Sequence, residues 1–280
     1  YFLTKPDDAG FVAADKLSQA ADRGVRVRFL LDDIFTTVKD ESLLALDDHP
    51  NIEIRLFNPV ARGGIGWLSF LMEFKRANRR MHNKSFTVDN QATIVGGRNI
   101  AQEYFQLKSA SEFVDFDVLG FGPVAADVSE TFDTFWNHPL AMPLSAFATG
   151  PDSRPKDRAN TSRALDSDSE TIYEEALDAP LVQDLLQGRA RLYPADAEVI
   201  TDDPEKLLHK ISPDHQLLVT RMAEIVDAAK REVIVISPYF IPGNEGVEYW
   251  KRIVDKGVRV IVLTNSLAST NHPAVHSAYS

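Results

Sequence analysis

The chain has 280 residues, of which 44% are hydrophobic and 25% charged, a balance typical of a folded globular protein. It contains no cysteine, which excludes disulfides, thiolate catalysis and cysteine-ligated zinc. The formal net charge of −11 argues against broad nucleic-acid binding, which normally needs a basic face. We find no apolar run of membrane-spanning length and no leader pattern, although a chain that begins at Tyr1 leaves any upstream leader unseen.

Helix-like and strand-like stretches alternate along the first third of the chain, which predicts a parallel or mixed sheet covered by helices. The predicted elements are helix 11–22, strand 25–31, helix 38–47, strand 52–57, an amphipathic helix ending at 80, strands 85–89 and 92–95, strand 113–119 and helix 124–136. Asn90 and Gln91 are expected to form the tight connection between strands 85–89 and 92–95. Later in the chain, the pattern predicts helix 214–231, strand 233–237 and helix 243–255.

A polar stretch divides the chain, because residues 143 to about 170 are rich in Ser, Asp, Arg, Pro and Thr and lack periodicity. We therefore expect a first lobe over 1–142, a polar linker or insertion over 143–212, and the start of a second lobe over 213–280.

An internal repeat supports this division. Residues 22–31 and 255–264 share Asp, Gly, Val, Arg and Val in register, at an offset of 233 residues. This similarity has two possible explanations. Either both segments are common helix–glycine–strand junctions, or a whole lobe has been duplicated. Under duplication, the counterpart of His82 would lie beyond Ser280.

One short stretch carries the residue types that phosphodiester transfer requires. His82, Lys84, Asp89, Gly97 and Asn99 follow the pattern His-x-Lys-x4-Asp-x6-Gly-Gly-x-Asn. Residues two apart on a strand point to one face, so the His and Lys side chains should converge. A neutral imidazole can attack phosphorus while the ammonium neutralises charge on the non-bridging oxygens.

This pattern resembles the phospholipase D superfamily. The flanking residues 79–84, 97–105, 237–242 and 263–268 look more specifically like its cardiolipin synthase-like branch. The resemblance implies a phospholipase D-like α/β/α sandwich, with a mixed sheet flanked by helices, one complete lobe, and a truncated second lobe related by pseudo-twofold symmetry. It also implies one motif per lobe, a phosphohistidine intermediate, a second histidine that acts as acid and base, and no metal or cofactor.

Within the resemblance, His82 would be the nucleophile, Lys84 and Asn99 would bind the phosphate, and Gly97 would allow close approach of the backbone. Asp89 belongs to the motif and is expected to brace the lobe through hydrogen bonds. Because no second motif is present in these residues, the chain alone should be inactive or nearly so.

The resemblance also implies roles for residues outside the motif. Asp115 is expected to orient the histidine, with Asp117 as second choice. Ser85, His276 and Tyr279 are candidates to line the cleft. His272 and His276 have helical ligand spacing, but no third ligand lies nearby in sequence, so we predict no metal site.

Two apolar or charged stretches have open interpretations. The run Lys75, Arg76, Arg79 and Arg80 would either steer an anionic headgroup or form a solvated helix end. The apolar residues of 67–74 would either pack in the core or face a membrane.

The leading functional hypothesis is a phosphatidyltransferase that uses anionic phospholipid (phosphatidylglycerol, phosphatidylethanolamine or cardiolipin) and works at the membrane surface, peripheral to a bacterial inner membrane. A phospholipase D-type hydrolase is the alternative, because water would only have to replace the acceptor alcohol. A superfamily nuclease, a non-catalytic lipid-binding lobe and a pair of chains sharing one cleft are further alternatives. The sequence leaves the oligomeric state open.

Overall fold

A computed structural model describes residues 1–33, 38, 40–59, 80–105, 107, 113–147, 167–208 and 217–266. The chain is mixed α/β, which confirms the predicted fold class. It divides into two compact units, one of Tyr1–Val199 with Pro204–Lys210 and one of Ile200–Asp203 with Ile211–Ser280. Among the described residues, no helix has both the length and the apolar character needed to cross a membrane.

The first unit opens with a helix and a parallel strand pair. Its elements are α1 (Asp8–Asp22), β1 (Val27–Asp32), α2 (Asp40–Asp47) and β2 (Ile52–Phe57). Strand β1 pairs in parallel with β2, and β6 (Ala141–Pro143) adds to β2 in the antiparallel direction. The apolar side chains of this sheet are fully buried at Leu31, Ile54 and Leu56, where they pack with Ala21 and Leu144. This packing fixes the carboxyl ends of β1 and β2, next to which the motif lies.

A second, antiparallel sheet carries the motif. It consists of β3 (Ser85–Val88), β4 (Ala92–Gly96) and β5 (Asp117–Phe121), and α3 (Pro123–Trp136) packs against all three strands. The turn between β3 and β4 is centred on Asp89 and Asn90, which both have positive φ, at 51° and 55°. The connection thus lies one residue earlier than the predicted Asn90–Gln91, because Asp and Asn tolerate the left-handed conformation that a primed turn requires.

Residues 1–5 connect the two sheets. The Tyr1 carbonyl accepts a hydrogen bond from Asp32 N at 2.9 Å, while Leu3 O accepts from Ile100 N at 3.2 Å. Lys5 N in turn donates to Ile100 O at 3.0 Å. This extended segment is therefore pinned on one side by the end of β1 and on the other by the residues that follow β4.

The remaining elements of the first unit include α4 (Ser167–Leu177) and α5 (Pro180–Leu186), with short 3-10 turns at Gln102–Tyr104, Leu144–Phe147 and Pro204–Leu207. Pro143 pairs with Arg55 at the end of β6, and Leu144 is fully buried in the core of the first unit. The predicted strand 113–119 begins at Asp117, and the predicted helix ending at 80 lies outside the described residues up to 79.

The second unit contains α6 (Leu217–Asp227), β7 (Glu232–Ile236), α7 (Gly243–Asp255) and β8 (Arg259–Leu263), and β7 pairs in parallel with β8. The repeated sequence has the same local structure in both units. Gly24 ends α1 with φ of 92°, and Gly257 ends α7 with φ of 86°. Each glycine N–H bonds back to the last turn of its helix, at Ala21 O and Val254 O respectively. Each then opens a parallel strand.

These two glycines provide a test of the repeated junction. No heavy atom lies within 4 Å of a Cβ built on Gly24 or Gly257, so substitution adds only backbone strain. We expect Gly24→Ala to lower the free energy of unfolding by about 1–2 kcal/mol, since an L-residue pays this cost for the left-handed conformation. Gly257→Ala should cost a similar amount. Urea unfolding of each variant measures the loss, and an unchanged midpoint in either unit would contradict the assigned conformation there.

Candidate active site

A buried ion pair fixes where the motif begins. Asp32, the last residue of β1, is fully buried, and its carboxylate receives Arg80 Nε at 2.8 and 3.0 Å and Arg80 Nη2 at 2.6 Å. The same carboxylate accepts a hydrogen bond from Met81 N at 3.1 Å. Arg80 Nη1 also donates to Asn58 O at 3.0 Å, just beyond β2. The chain therefore enters the motif from the carboxyl edge of the β1–β2 pair.

The Arg80 guanidinium is only 7% exposed, which rules out headgroup steering for this member of the basic run. A forked guanidinium that satisfies one carboxylate and two carbonyls is a structural group, because a single buried cation would otherwise be costly. Lys75, Arg76 and Arg79, the other members of that run, lie outside the described residues, as does the apolar stretch 67–74.

His82 and Lys84 converge as predicted, although both precede β3, which begins at Ser85. Lys84 Nζ lies 3.2 Å from Nδ1 and 3.3 Å from Nε2 of the imidazole, and it donates to His82 O at 2.9 Å. Lys84 is 5% exposed, whereas His82 is exposed. The ammonium is thus held rigidly beside an imidazole that a ligand can reach.

The ring of Phe2 covers one side of this pair. Its centroid lies 4.6 Å from that of His82, with the planes tilted by 56°, and 5.3 Å from Lys84 Nζ. Although part of the side chain is open to solvent, partial burial of the His82 ring, together with the charge of Lys84, lowers its pKa from 6.5 to about 4. The imidazole is accordingly neutral at pH 7, as a nucleophile must be.

Burial also lowers the pKa of Lys84, from 10.5 to about 8, and the nearby carboxylate of Asp115 opposes this shift. Lys84 therefore stays mostly cationic at neutral pH. Asp115, which the family pattern expects to orient the histidine, precedes β5. The described residues show its carboxylate beside Lys84 and Gly97, with no hydrogen bond to His82.

The two glycines of the motif make room for carboxylates. A Cβ on Gly97 would stand 1.9 Å from Asp115 Oδ1, and one on Gly96 would stand 1.7 Å from Asp117 Oδ1. Asp117, the second choice for orienting the histidine, pairs with Arg98, whose Nη1 lies 2.5 Å from its Oδ2. A Cβ on Gly96 would also stand 2.7 Å from the backbone Cα of Asp117. Packing within the chain therefore accounts for both glycines, and close approach of a phosphate to Gly97 stays a prediction.

Asn99 is buried, and its amide is partly engaged within the protein. Its Oδ1 accepts a hydrogen bond from Leu3 N at 3.1 Å, and its Nδ2 donates to Tyr104 Oη at 2.9 Å. Since a primary amide has two N–H donors, the bond to Tyr104 uses only one of them. The hydroxyl of Tyr104 and the backbone of Leu3 thus set the orientation of this amide.

Not every predicted site residue is shown to lie near His82 and Lys84. Asp89 lies in the exposed turn at the far end of β3 from His82, where its conformation forms the hairpin. Ser85 begins β3 next to Lys84 and is half-buried. His276 and Tyr279 lie outside the described residues. Within the described ranges, no three His, Asp or Glu side chains cluster as metal ligands would.

Sequence reasoning missed three contributors to the site: Phe2, Asp32 and Tyr104. Asp32 had a detectable signal, because polar residues at the carboxyl ends of parallel strands often meet at a site. Tyr104 lies within the matched flanking residues, but the pattern gives it no role. Phe2 stands 80 positions before His82, and nothing in its local pattern separates it from a core residue.

Residues 1–136 match the family model described as the phospholipase D-like domain of cardiolipin synthase. With the paired His82 and Lys84 in place, this match assigns the chain to the phospholipase D superfamily. Within that superfamily the chain belongs to the cardiolipin synthase branch, which confirms the resemblance recognised from the motif.

Several relatives match along the whole chain. It is 38% identical to cardiolipin synthase C of Escherichia coli K12, over 100% of this chain and 59% of that protein. It is 32% identical to an uncharacterized protein of Helicobacter pylori 26695, over 99% of this chain and 56% of that protein. Cardiolipin synthase A of Pseudomonas syringae is 27% identical, over 100% of the chain and 47% of that protein. The chain thus spans about half the length of the relatives it matches.

The Arg80–Asp32 pair can be tested by stability. We expect Arg80→Gln to lower the free energy of unfolding by about 3–5 kcal/mol, because it leaves the Asp32 carboxylate buried without its partner. Arg26→Gln is the matched control, since that side chain is 77% exposed and lies 3.9 Å from Glu53, and it should cost less than about 1 kcal/mol.

Urea denaturation of both variants and of the double variant Asp32→Asn/Arg80→Gln provides the measurement. The double variant should regain part of the loss, because it removes the uncompensated charge. Equal costs for Arg80→Gln and Arg26→Gln would show that the pair does not hold the motif in place.

Proposed function

We propose that the protein containing this chain is a phosphatidyltransferase that forms cardiolipin, with His82 as the nucleophile that attacks a phospholipid phosphodiester. The observation that carries the proposal is the buried Lys84 ammonium, held 3.2 and 3.3 Å from the two ring nitrogens of His82. The pair provides a neutral nucleophile and a fixed cation at one point, which is what attack on an anionic phosphodiester requires.

In the first step, a ring nitrogen of His82 forms a bond to phosphorus, and the bond from phosphorus to the headgroup oxygen breaks. A non-bridging oxygen replaces the imidazole as acceptor for the Lys84 ammonium, and the second N–H of Asn99 donates to the same group. Asp115 holds Lys84 in place by charge. The departing alkoxide takes a proton from a general acid, and the superfamily resemblance implies that this acid is the histidine of a second motif.

In the second step, the hydroxyl of phosphatidylglycerol attacks the phosphohistidine, and the bond between phosphorus and His82 breaks. The general base accepts the hydroxyl proton, and the product is a lipid with two phosphatidyl groups. Two of the relatives bear the name cardiolipin synthase, which supports this acceptor over a polynucleotide. We propose anionic phospholipid as the partner, and action at the membrane surface, peripheral to the bacterial inner membrane.

The proposed division of the chain follows from the same assignment. We propose that residues 1–142 are the first lobe, that 143–212 are the linker or insertion, and that 213–280 begin the second lobe. The shared junctions at Gly24 and Gly257 support a duplication, because they place the same cap and the same parallel strand in both units. A second motif would then complete the cleft in the whole protein.

Lipid turnover tests the function directly. The full-length protein and its His82→Ala variant should be incubated with liposomes of phosphatidylglycerol and phosphatidylethanolamine, and the products should be identified by mass spectrometry. We expect cardiolipin from the native protein and a loss of at least about 10³-fold in the variant, since no other group replaces a covalent nucleophile.

His49→Ala is the matched control for this experiment, because His49 bonds to Asp22 and Asn51 N beside α1, away from the motif. It should retain turnover. Release of phosphatidic acid without cardiolipin would favour the hydrolase, and turnover that survives His82→Ala would exclude His82 as the nucleophile.

The pH dependence tests the role of Lys84. Because its pKa is lowered to about 8, kcat/KM should fall as the pH rises through about 8 and the ammonium loses its proton. Arginine keeps its charge in this range, so the Lys84→Arg variant should be slower but should lack this alkaline limb. An alkaline limb of unchanged midpoint in Lys84→Arg would assign the titration to another group.

A further inference from the structure

Residues 1–5 are held from both sides at the position of Phe2. Its neighbour Tyr1 accepts from Asp32 N at 2.9 Å, and its neighbour Leu3 bonds to Ile100 N and to the Asn99 side chain. The backbone at Phe2 is thus fixed between the two sheets, so its Cα cannot shift without breaking bonds to Asp32, Asn99 or Ile100.

The ring contacts both reacting side chains. It lies 4.6 Å from the imidazole of His82, centroid to centroid, and 5.3 Å from the Lys84 ammonium. Tilted aromatic pairs and cations near a ring face both attract the phenylalanine π system. An aliphatic side chain would offer neither interaction.

We propose that Phe2 is a positioning residue of the active site, whose ring seats the His82 imidazole and keeps water from its inner side. The inference rests on the proposed function of His82 and extends it to a residue that lies outside the motif. In this arrangement, a single segment orients the nucleophile through the Phe2 ring and the phosphate-binding amide of Asn99 through Leu3.

Loss of water around the imidazole affects the pKa of His82. Partial burial of the imidazole, to which the covering ring of Phe2 contributes, disfavours the imidazolium, as does the charge of Lys84 two residues further along the chain. Asp115, which approaches from the residues before β5, is the carboxylate near Lys84 and acts in the opposite direction on that lysine. Removing the Phe2 ring should admit water and raise the pKa of His82.

The test uses the full-length protein with labelled histidine, and NMR follows the His82 signal as a function of pH without lipid. In Phe2→Leu we expect the pKa of His82 to rise by about one unit or more, because leucine is smaller and lacks the ring face. The kcat for lipid turnover should fall about tenfold, with KM changed by less than about threefold, since a misplaced nucleophile affects the reaction more than binding.

Phe2→Tyr keeps the ring and should retain the native pKa and kcat within about twofold. Phe11→Leu, on the exposed side of α1, is the matched control for loss of a phenylalanine and should change neither value. Thermal unfolding by circular dichroism identifies any variant that is not folded, and Phe2→Met replaces Phe2→Leu if the leucine variant is unstable.

A native His82 pKa and kcat in both Phe2→Leu and Phe2→Met would overturn the proposal. So would equal losses in Phe2→Tyr and Phe2→Leu, which would indicate general damage to the segment. Absence of lipid turnover in the native protein would refute the proposed function, whereas the NMR titration would still decide the effect of Phe2 on His82.

Discussion

The buried pair of Arg80 and Asp32 is the constraint on which the site depends. The motif lies in an antiparallel sheet, whereas the polar edge that receives it belongs to the parallel pair β1 and β2. The guanidinium joins them, because it binds the last residue of β1 and the carbonyl of Asn58 at the end of β2. Met81 N shares the same carboxylate, which leaves little freedom for His82, the next residue. A buried pair of this geometry favours one arrangement strongly, since every alternative would leave a charge unpaired in the core.

Glycine and carboxylate positions in the motif depend on each other. Gly96 and Gly97 leave the space that the carboxyl groups of Asp117 and Asp115 fill. Asp117 then neutralises Arg98, while Asp115 acts on the buried Lys84. Burying an ammonium without a nearby carboxylate would lower its pKa further and remove the charge that we propose binds phosphate. The absence of side chains at the two glycines is therefore linked, through the carboxylates, to the charge of the lysine.

Local features of the fold and of the site could be predicted from the sequence, whereas contacts between distant positions could not. The spacing of two residues just before β3 is sufficient to predict that His82 and Lys84 lie together, and the left-handed cap at Gly24 follows from the residues around it. The buried position of Arg80 is difficult to predict, because its run of basic neighbours resembles a solvated helix end. Its partner Asp32 lies 48 positions earlier. The contacts of Phe2 and Asn99 depend on pairing of the first residues with the chain near Ile100, for which a single sequence holds no signal. The family pattern directs attention to Asp115, but the position of its carboxylate at Gly97, where its charge acts on Lys84, arises from the pairing of β5 with β4.

The low pKa of His82 would matter to the proposed reaction when the phosphodiester binds. The bound phosphodiester would place a negative charge beside the imidazole, which would stabilise the protonated form and raise the pKa of His82. A histidine that began at the ordinary value of 6.5 would then be largely protonated near neutral pH and could not attack. Because burial and Lys84 hold the free histidine at about 4, it can be raised by about two units and still be neutral at pH 7. The same anion would raise the pKa of Lys84 from about 8 and so keep the lysine protonated. Under the proposed function, desolvation of the pair would thus allow one substrate charge to favour the Lys84 cation while the His82 imidazole stays unprotonated.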